Sequence, residues 1–139
     1  MAVMTKEEFA QHVKSDTLPM YRLAYSILQN SADAEDAVSE AIVHAYEKLD
    51  TLKKADSFRN WILQIAANES KKIYRQNKRT SPVAWEENLS PEFYDEHHEL
   101  WDAVMQLDGG YRDVIVLFYY ERCTIPEISR ILELSLIHI

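Results

Sequence analysis

The stretch DAEDAVSEAIVHAYEKLD, residues 33–50, followed after a short polar loop by SFRNWILQIAANESKKIYRQNKR, residues 57–79, decides the fold. In the first segment Ala34, Ala37, Val38, Ala41, Ile42, Ala45 and Leu49 recur at intervals of three and four, which places them on one side of a helix. That side must be buried. Asp36, Glu40, Val43 and Glu47 share the opposite side, an acidic stripe interrupted by one apolar residue. The second segment predicts a helix capped at Ser57, with Asp56 beside it to favour the dipole, that buries Phe58, Ile62, Ile65, Ala66 and Ile73. Its outer ridge is Gln64, Asn68, Lys71, Arg75 and Lys78, two amides in line with three cations. Phosphates and base edges suit such a ridge.

Working outward, helical spacing recurs across all 139 residues, and two glycines and four prolines leave little for β-turns, so the expectation is an all-α protein. The predicted opening helix spans residues 5–14, with Thr5 and Glu8 as a capping box. A separate second helix is expected from Asp16 to Leu28, with Pro19 in its first turn. Residues 80–95 carry two Ser-Pro pairs and four acids with no cation, which reads as a linker. The expected division is therefore a helical domain over 1–79, a linker over 80–95 and a smaller helical domain over 96–139. In the last, Leu100, Val104 and Leu107 face inward, as do Val114, Ile115, Leu117 and Phe118. Ile128, Ile131 and Leu132 do so on a helix opened by a second capping box at Thr124 and Glu127.

The formal net charge of −8 argues at first against DNA, but its distribution does not. Residues 51–80 hold eight of the fifteen Lys and Arg against two acids. With acidic flanks on both sides, such a chain binds duplex DNA poorly alone and needs a partner to hold it there. Cys123 is the single cysteine, so no internal disulfide forms, and the absence of a signal peptide or a long apolar span makes a cytoplasmic protein the default. His97 and His98 are adjacent and diverge by roughly a hundred degrees on a helix. His12 and His44 have no partner at a readable spacing. No catalytic constellation, metal site or cofactor is expected.

The two central motifs together resemble region 2 of bacterial sigma factors of the extracytoplasmic-function group. That family reads D-A-E-D before one helix and S-F-R-x-W-L-x-x-I-A-x-N at the start of the next, and the matching residues are Asp33 to Asp36 and Ser57 to Asn68. The resemblance implies an RNA polymerase sigma factor, not an enzyme. Asp36, Glu40, Val43 and Glu47 would dock on the clamp coiled coil of core RNA polymerase. In that family the loop before the basic helix holds a base flipped from the minus-ten element of promoter DNA. Thr51, Lys53, Lys54, Asp56 and Ser57 would supply it here, with Trp61 stacking and with Gln64, Asn68, Lys71, Lys72, Arg75, Lys78 and Arg79 along the strand. An anti-sigma factor is the implied regulator.

The C-terminal segment resembles region 4 up to the first helix of its helix-turn-helix. The basic recognition helix that the family carries next is missing. Leu134 to Ile139 resembles the translation of a sequencing adaptor, so a longer natural chain is expected. Without that helix, Ile128, Ile131 and Leu132 are expected to stay incompletely buried. Two other classes stay open at this point: an interaction protein that sequesters polymerase or a regulator, and a metal-dependent hydrolase built on the scattered histidines.

Overall fold

In a computed structural model, which describes residues 3–80 and 98–133, the chain forms α1 (Lys6–Leu28), α2 (Ser31–Glu47), α3 (Phe58–Thr80), α4 (His98–Met105), α5 (Gly109–Ile115) and α6 (Ile125–Leu132). Two 3₁₀ turns, Leu49–Thr51 and Ala55–Ser57, join α2 to α3, and a π-helical turn, Val116–Tyr120, extends α5. The described residues hold no strand, as the all-α reading expects. The expected linker, apart from Thr80, and the tail from Leu134 lie outside the described residues.

The capping box at the start of α1 is formed: the Glu8 backbone N–H donates to Thr5 Oγ1 at 3.1 Å and the Thr5 N–H to Glu8 Oε1 at 2.7 Å. The expected break before Asp16 does not occur. One helix of 23 residues runs through Pro19. A proline inside a helix costs about 3 kcal/mol, but Pro19, Met20, Tyr21, Leu23, Ala24, Tyr25, Ser26 and Ile27 are all buried, and that burial offsets the lost bond. Tertiary packing on several sides overrides the local signal. Gln29 then ends the helix in the left-handed region, and the Asn30 side chain caps α2 by accepting from the Asp33 N–H at 2.8 Å.

Helices α1, α2 and α3 pack against one another around the expected apolar faces. Ala34, Ala37, Ala41 and Ala45 are wholly buried, and small side chains there let α2 approach its neighbours closely. On α3 the buried face is wider than periodicity suggested. Leu63, Ala67 and Ser70 join Phe58, Ile62 and Ala66, while Ile65 and Ile73 are half-buried. The reason is a second neighbour, since α3 also receives α6. Ala55–Ser57 runs directly into α3, so Ser57 belongs to a 3₁₀ turn and the helix starts at Phe58.

The C-terminal helices lie on this bundle. Trp101 of α4 packs against Tyr25 and, edge-on, against Tyr120. Val116 and Leu117 point inward, whereas Phe118, Leu107 and Leu100, expected inside, are exposed. The π turn is the cause for Phe118, because its wider winding rotates later residues off the α-helical register. The expected under-burial of α6 is also overturned. Ile128, Ile131 and Leu132 are buried, since α3 takes the place that a further helix would fill.

Phe58 meets Phe9, His12 and Trp61 at ring-centroid distances of 5.7, 4.9 and 5.8 Å and ties α1 to α3. Phe58→Ala is expected to cost about 3–5 kcal/mol, read as a fall in the urea midpoint with an unchanged slope.

Candidate nucleic-acid and polymerase surfaces

On α2, Asp36, Glu40, Val43 and Glu47 are all exposed, so the acidic stripe faces solvent as expected. Among the described residues no Lys or Arg of α3 forms an ion pair with it. The seam between α2 and α3 is crossed instead by an Asn77–Asp33 hydrogen bond of 2.8 Å and by His44 Nδ1 against Glu69 Oε2 at 2.7 Å. His44, read from sequence as lacking a partner, thus has one on the next helix. Lys72 does not join the cationic ridge. It lines a hollow with Asp36 and Glu40 on the acidic side.

The ridge on α3 has two unlike halves. Asn68, Arg75 and Lys78 are exposed, with the Lys78 ammonium 5.7 Å from the centre of the Tyr74 ring. Gln64 and Lys71 lie under α6: Lys71 Nζ donates to the Leu132 carbonyl at 2.6 Å, and Gln64 Nε2 donates to Glu133 at 3.4 Å. Asn60 donates to Glu127 beside them. That carboxyl sits below the usual range because it accepts the Thr124 backbone N–H and the Asn60 amide. The side chain of Arg79 lies outside the described residues.

Thr51, Lys53, Lys54 and Ser57 before α3 and Trp61 and Gln64 on it line one groove of about 440 Å³, which Arg130 and Ile131 of α6 also line. Five of the residues that sequence reading assigned to a base pocket or to stacking therefore share a concavity. Asp56 is exposed and is not among its walls. Trp61 is half-buried, with its indole against Phe58 and part of it facing the groove, so it serves core and surface together.

Sequence reading missed what holds α6 there. Glu121 is buried to 1% exposure and accepts from Arg22 Nε at 2.7 Å, Arg22 Nη2 at 3.0 Å and Arg59 Nη2 at 3.2 Å. One carboxylate joins α1, α3 and the C-terminal helices. Nearby, Ser26 Oγ donates to Asp113 Oδ1 at 2.8 Å and Arg112 Nε to the Ser26 carbonyl at 2.7 Å. No local pattern announces these pairs, whose members stand 62 to 99 residues apart. Burial pushes the Cys123 thiol up to about 11, which fits an inert core thiol.

With this geometry in hand, comparison with known proteins is direct. Residues 15–80 match Sigma-70 region 2, and residues 97–136 match Sigma-70 region 4. The ECF RNA polymerase sigma factor SigW of Bacillus subtilis (strain 168) is 30% identical over 148 residues, spanning 93% of this chain and 79% of SigW. The chain belongs to the extracytoplasmic-function sigma factors. The RNA polymerase sigma factor SigV of the same bacterium is 29% identical over 115 residues, spanning 80% of this chain and 69% of SigV. Among solved structures, CnrH in complex with the cytosolic domain of CnrY superposes with a TM-score of 0.67 at 25% identity, over 96% of this chain and 79% of CnrH. The sigma factor RpoE, solved with the anti-sigma factor NepR from Bartonella quintana, gives 0.80 at 19% identity, over 95% of this chain and 87% of RpoE, and supports the fold alone. This sigma factor acts in promoter recognition, with core RNA polymerase and promoter DNA as its partners. No helix among the described residues is long and apolar enough to cross a membrane.

Burial raises the Asp113 carboxyl to about 6 from 3.8, against the opposing Ser26 hydrogen bond and the Arg112 charge. A raised carboxyl contributes stability that is complete below pH 3.8 and lost as pH climbs through 6, about 3 kcal/mol at most. Asp113→Asn is therefore expected to raise Tm at pH 7.5 by several degrees and to leave it unchanged at pH 4, measured by thermal melts across that range.

Proposed function

We propose that this sigma factor grips core polymerase through the α2 stripe and holds the opened minus-ten strand through the 51–57 loop and the α3 ridge. The observation that carries the reading is the separation of the two surfaces: Asp36, Glu40, Val43 and Glu47 are exposed on one helix and Asn68, Arg75 and Lys78 on the next, with no cation of α3 paired to the stripe among the described residues. An acidic stripe with Val43 at its centre, 52% exposed, suits a partner helix that offers cations around one apolar contact. The ridge suits an unpaired strand, with Asn68 beside base edges and Arg75 and Lys78 at phosphates. In the groove a flipped base would meet Trp61 and the polar groups of Thr51, Lys53, Lys54 and Ser57, which together return the few kcal/mol that unstacking costs.

Within this reading residues 1–79 form the polymerase and minus-ten domain, and residues 96–139 form the region 4 part. Polymerisation chemistry belongs to the partner, and the chain works without cofactor or substrate of its own in the cytoplasm. The two structural neighbours were solved with CnrY and with the anti-sigma factor NepR, which supports an anti-sigma partner here too.

Because α6 covers Gln64 and Lys71, strand holding at that end requires α6 to leave. Charge reversal at Asp36 and Glu40 is expected to weaken polymerase capture at least tenfold, and unchanged capture would remove the docking assignment. Asn68→Ala and Lys71→Ala are expected to keep capture while lowering promoter opening, read by permanganate reactivity of unpaired thymines. Glu121→Gln should loosen α6, raising affinity for single-stranded minus-ten DNA several-fold while lowering Tm.

A further inference from the structure

The α2–α3 seam brings Glu40, His44 and Glu69 together, with one ligand atom from each inside a span of 4.8 Å. None of the three lies on the cationic ridge. Glu40 and His44 stand one turn apart on α2 and so project from the same side of the helix. Glu69 reaches them from α3 with only 8% of its surface exposed. Its partner is His44 Nδ1, so a well-covered carboxylate faces an imidazole and a second carboxylate, with no Lys or Arg ion-paired to it among the described residues.

We propose that these three side chains form a binding site for a divalent transition-metal ion of the zinc class. The donor set is one imidazole and two carboxylates, which neutralise a doubly charged ion and are the ligand types such ions accept. Metal–ligand bonds of about 2.0–2.2 Å around a tetrahedral ion put ligand atoms roughly 3.3–3.5 Å apart. The observed atoms are compatible with that spacing: the His44–Glu69 contact must open from 2.7 Å, and all three ligand atoms already lie within 4.8 Å of one another. Side-chain rotation covers that change, while the buried alanines on the inner face of α2 keep the two backbones fixed. Beside the triad, a hollow of about 570 Å³ lined by Asp36, Ser39, Glu40, Glu69, Lys72 and Gln76 leaves room for water to complete the coordination.

Lys72, which lines that hollow, carries a positive charge that opposes an incoming cation, so its removal strengthens binding. Occupation also takes Glu40 out of the acidic stripe.

The test titrates the full chain, stripped with a chelator, with Zn²⁺ alone by calorimetry and with Co²⁺ by visible absorption. The expected result is one equivalent bound. His44→Gln and Glu69→Gln should each weaken binding by at least the roughly 10–100-fold that follows loss of even an outer partner. His12→Gln should leave it unchanged and Lys72→Gln should tighten it, with melting curves confirming that each variant is folded. Absence of stoichiometric binding would overturn the site, as would affinity that survives intact in folded His44→Gln and Glu69→Gln.

Discussion

A carboxylate withdrawn from water has to be answered by charge, and Glu121 is the place where this protein meets that demand. At 1% exposure its side chain would cost several kcal/mol if left alone, and the guanidinium groups of Arg22 and Arg59 supply the answer from two different helices. Apolar packing of Trp101, Leu117 and Ile128 gives the C-terminal helices a reason to adhere, but apolar contact has no direction. The three hydrogen bonds to Glu121 have one, and they fix where α5 and α6 lie on α1 and α3. The roof over Gln64 and Lys71 follows from that placement, as does the α6 side of the groove.

The second constraint is steric. Four alanines on the inner side of α2, each wholly buried, let that helix settle closely against its neighbours, with Val38 buried and Ile42 half-buried beside them. Among the described residues no Lys or Arg of α3 then forms an ion pair with the acidic stripe, and the one ion pair across the seam is His44 with Glu69. Had long acids occupied the inner positions, they would have sought the cations of α3 and cancelled both surfaces. The segregation of charge on which the proposed two-surface reading depends thus rests on the smallest side chains in the bundle.

Much of this was legible in the sequence where one helix speaks for itself. The inner face of α2, the outer acidic stripe, the ridge on α3 and the capping boxes at Thr5 and Thr124 are all set by spacing within a single element. The failures share a cause. Pro19 reads as a helix start, but the buried surroundings of residues 19–27 carry the helix through it. The apolar face of α6 reads as unsatisfied, yet α3 covers it. Glu121, Arg22 and Arg59 carry no mark of being one cluster, because only the docking of distant helices brings them together. The side chains of the candidate groove were named from a family pattern, and the participation of Arg130 in it could not have been, since it depends on the same docking.

The unequal halves of the ridge impose an order on strand binding in the proposed reading. Asn68, Arg75 and Lys78 are exposed, and of these Lys78 gives up only its contact with the Tyr74 ring to meet a strand. Lys71 must first give up the Leu132 carbonyl, and Gln64 must give up Glu133. Withdrawal of α6 also uncovers Ile128, Ile131 and Leu132, worth about 1.5–3 kcal/mol for each side chain fully exposed. A strand engaging the open half alone gains too little to drive that change, because surface charge contacts contribute about a kilocalorie or less. In the proposed reading core polymerase, by gripping α2, would supply the difference. In that reading promoter engagement is conditional on the polymerase, because the acidic flanks of a chain with net charge −8 oppose the approach of its basic segment to DNA.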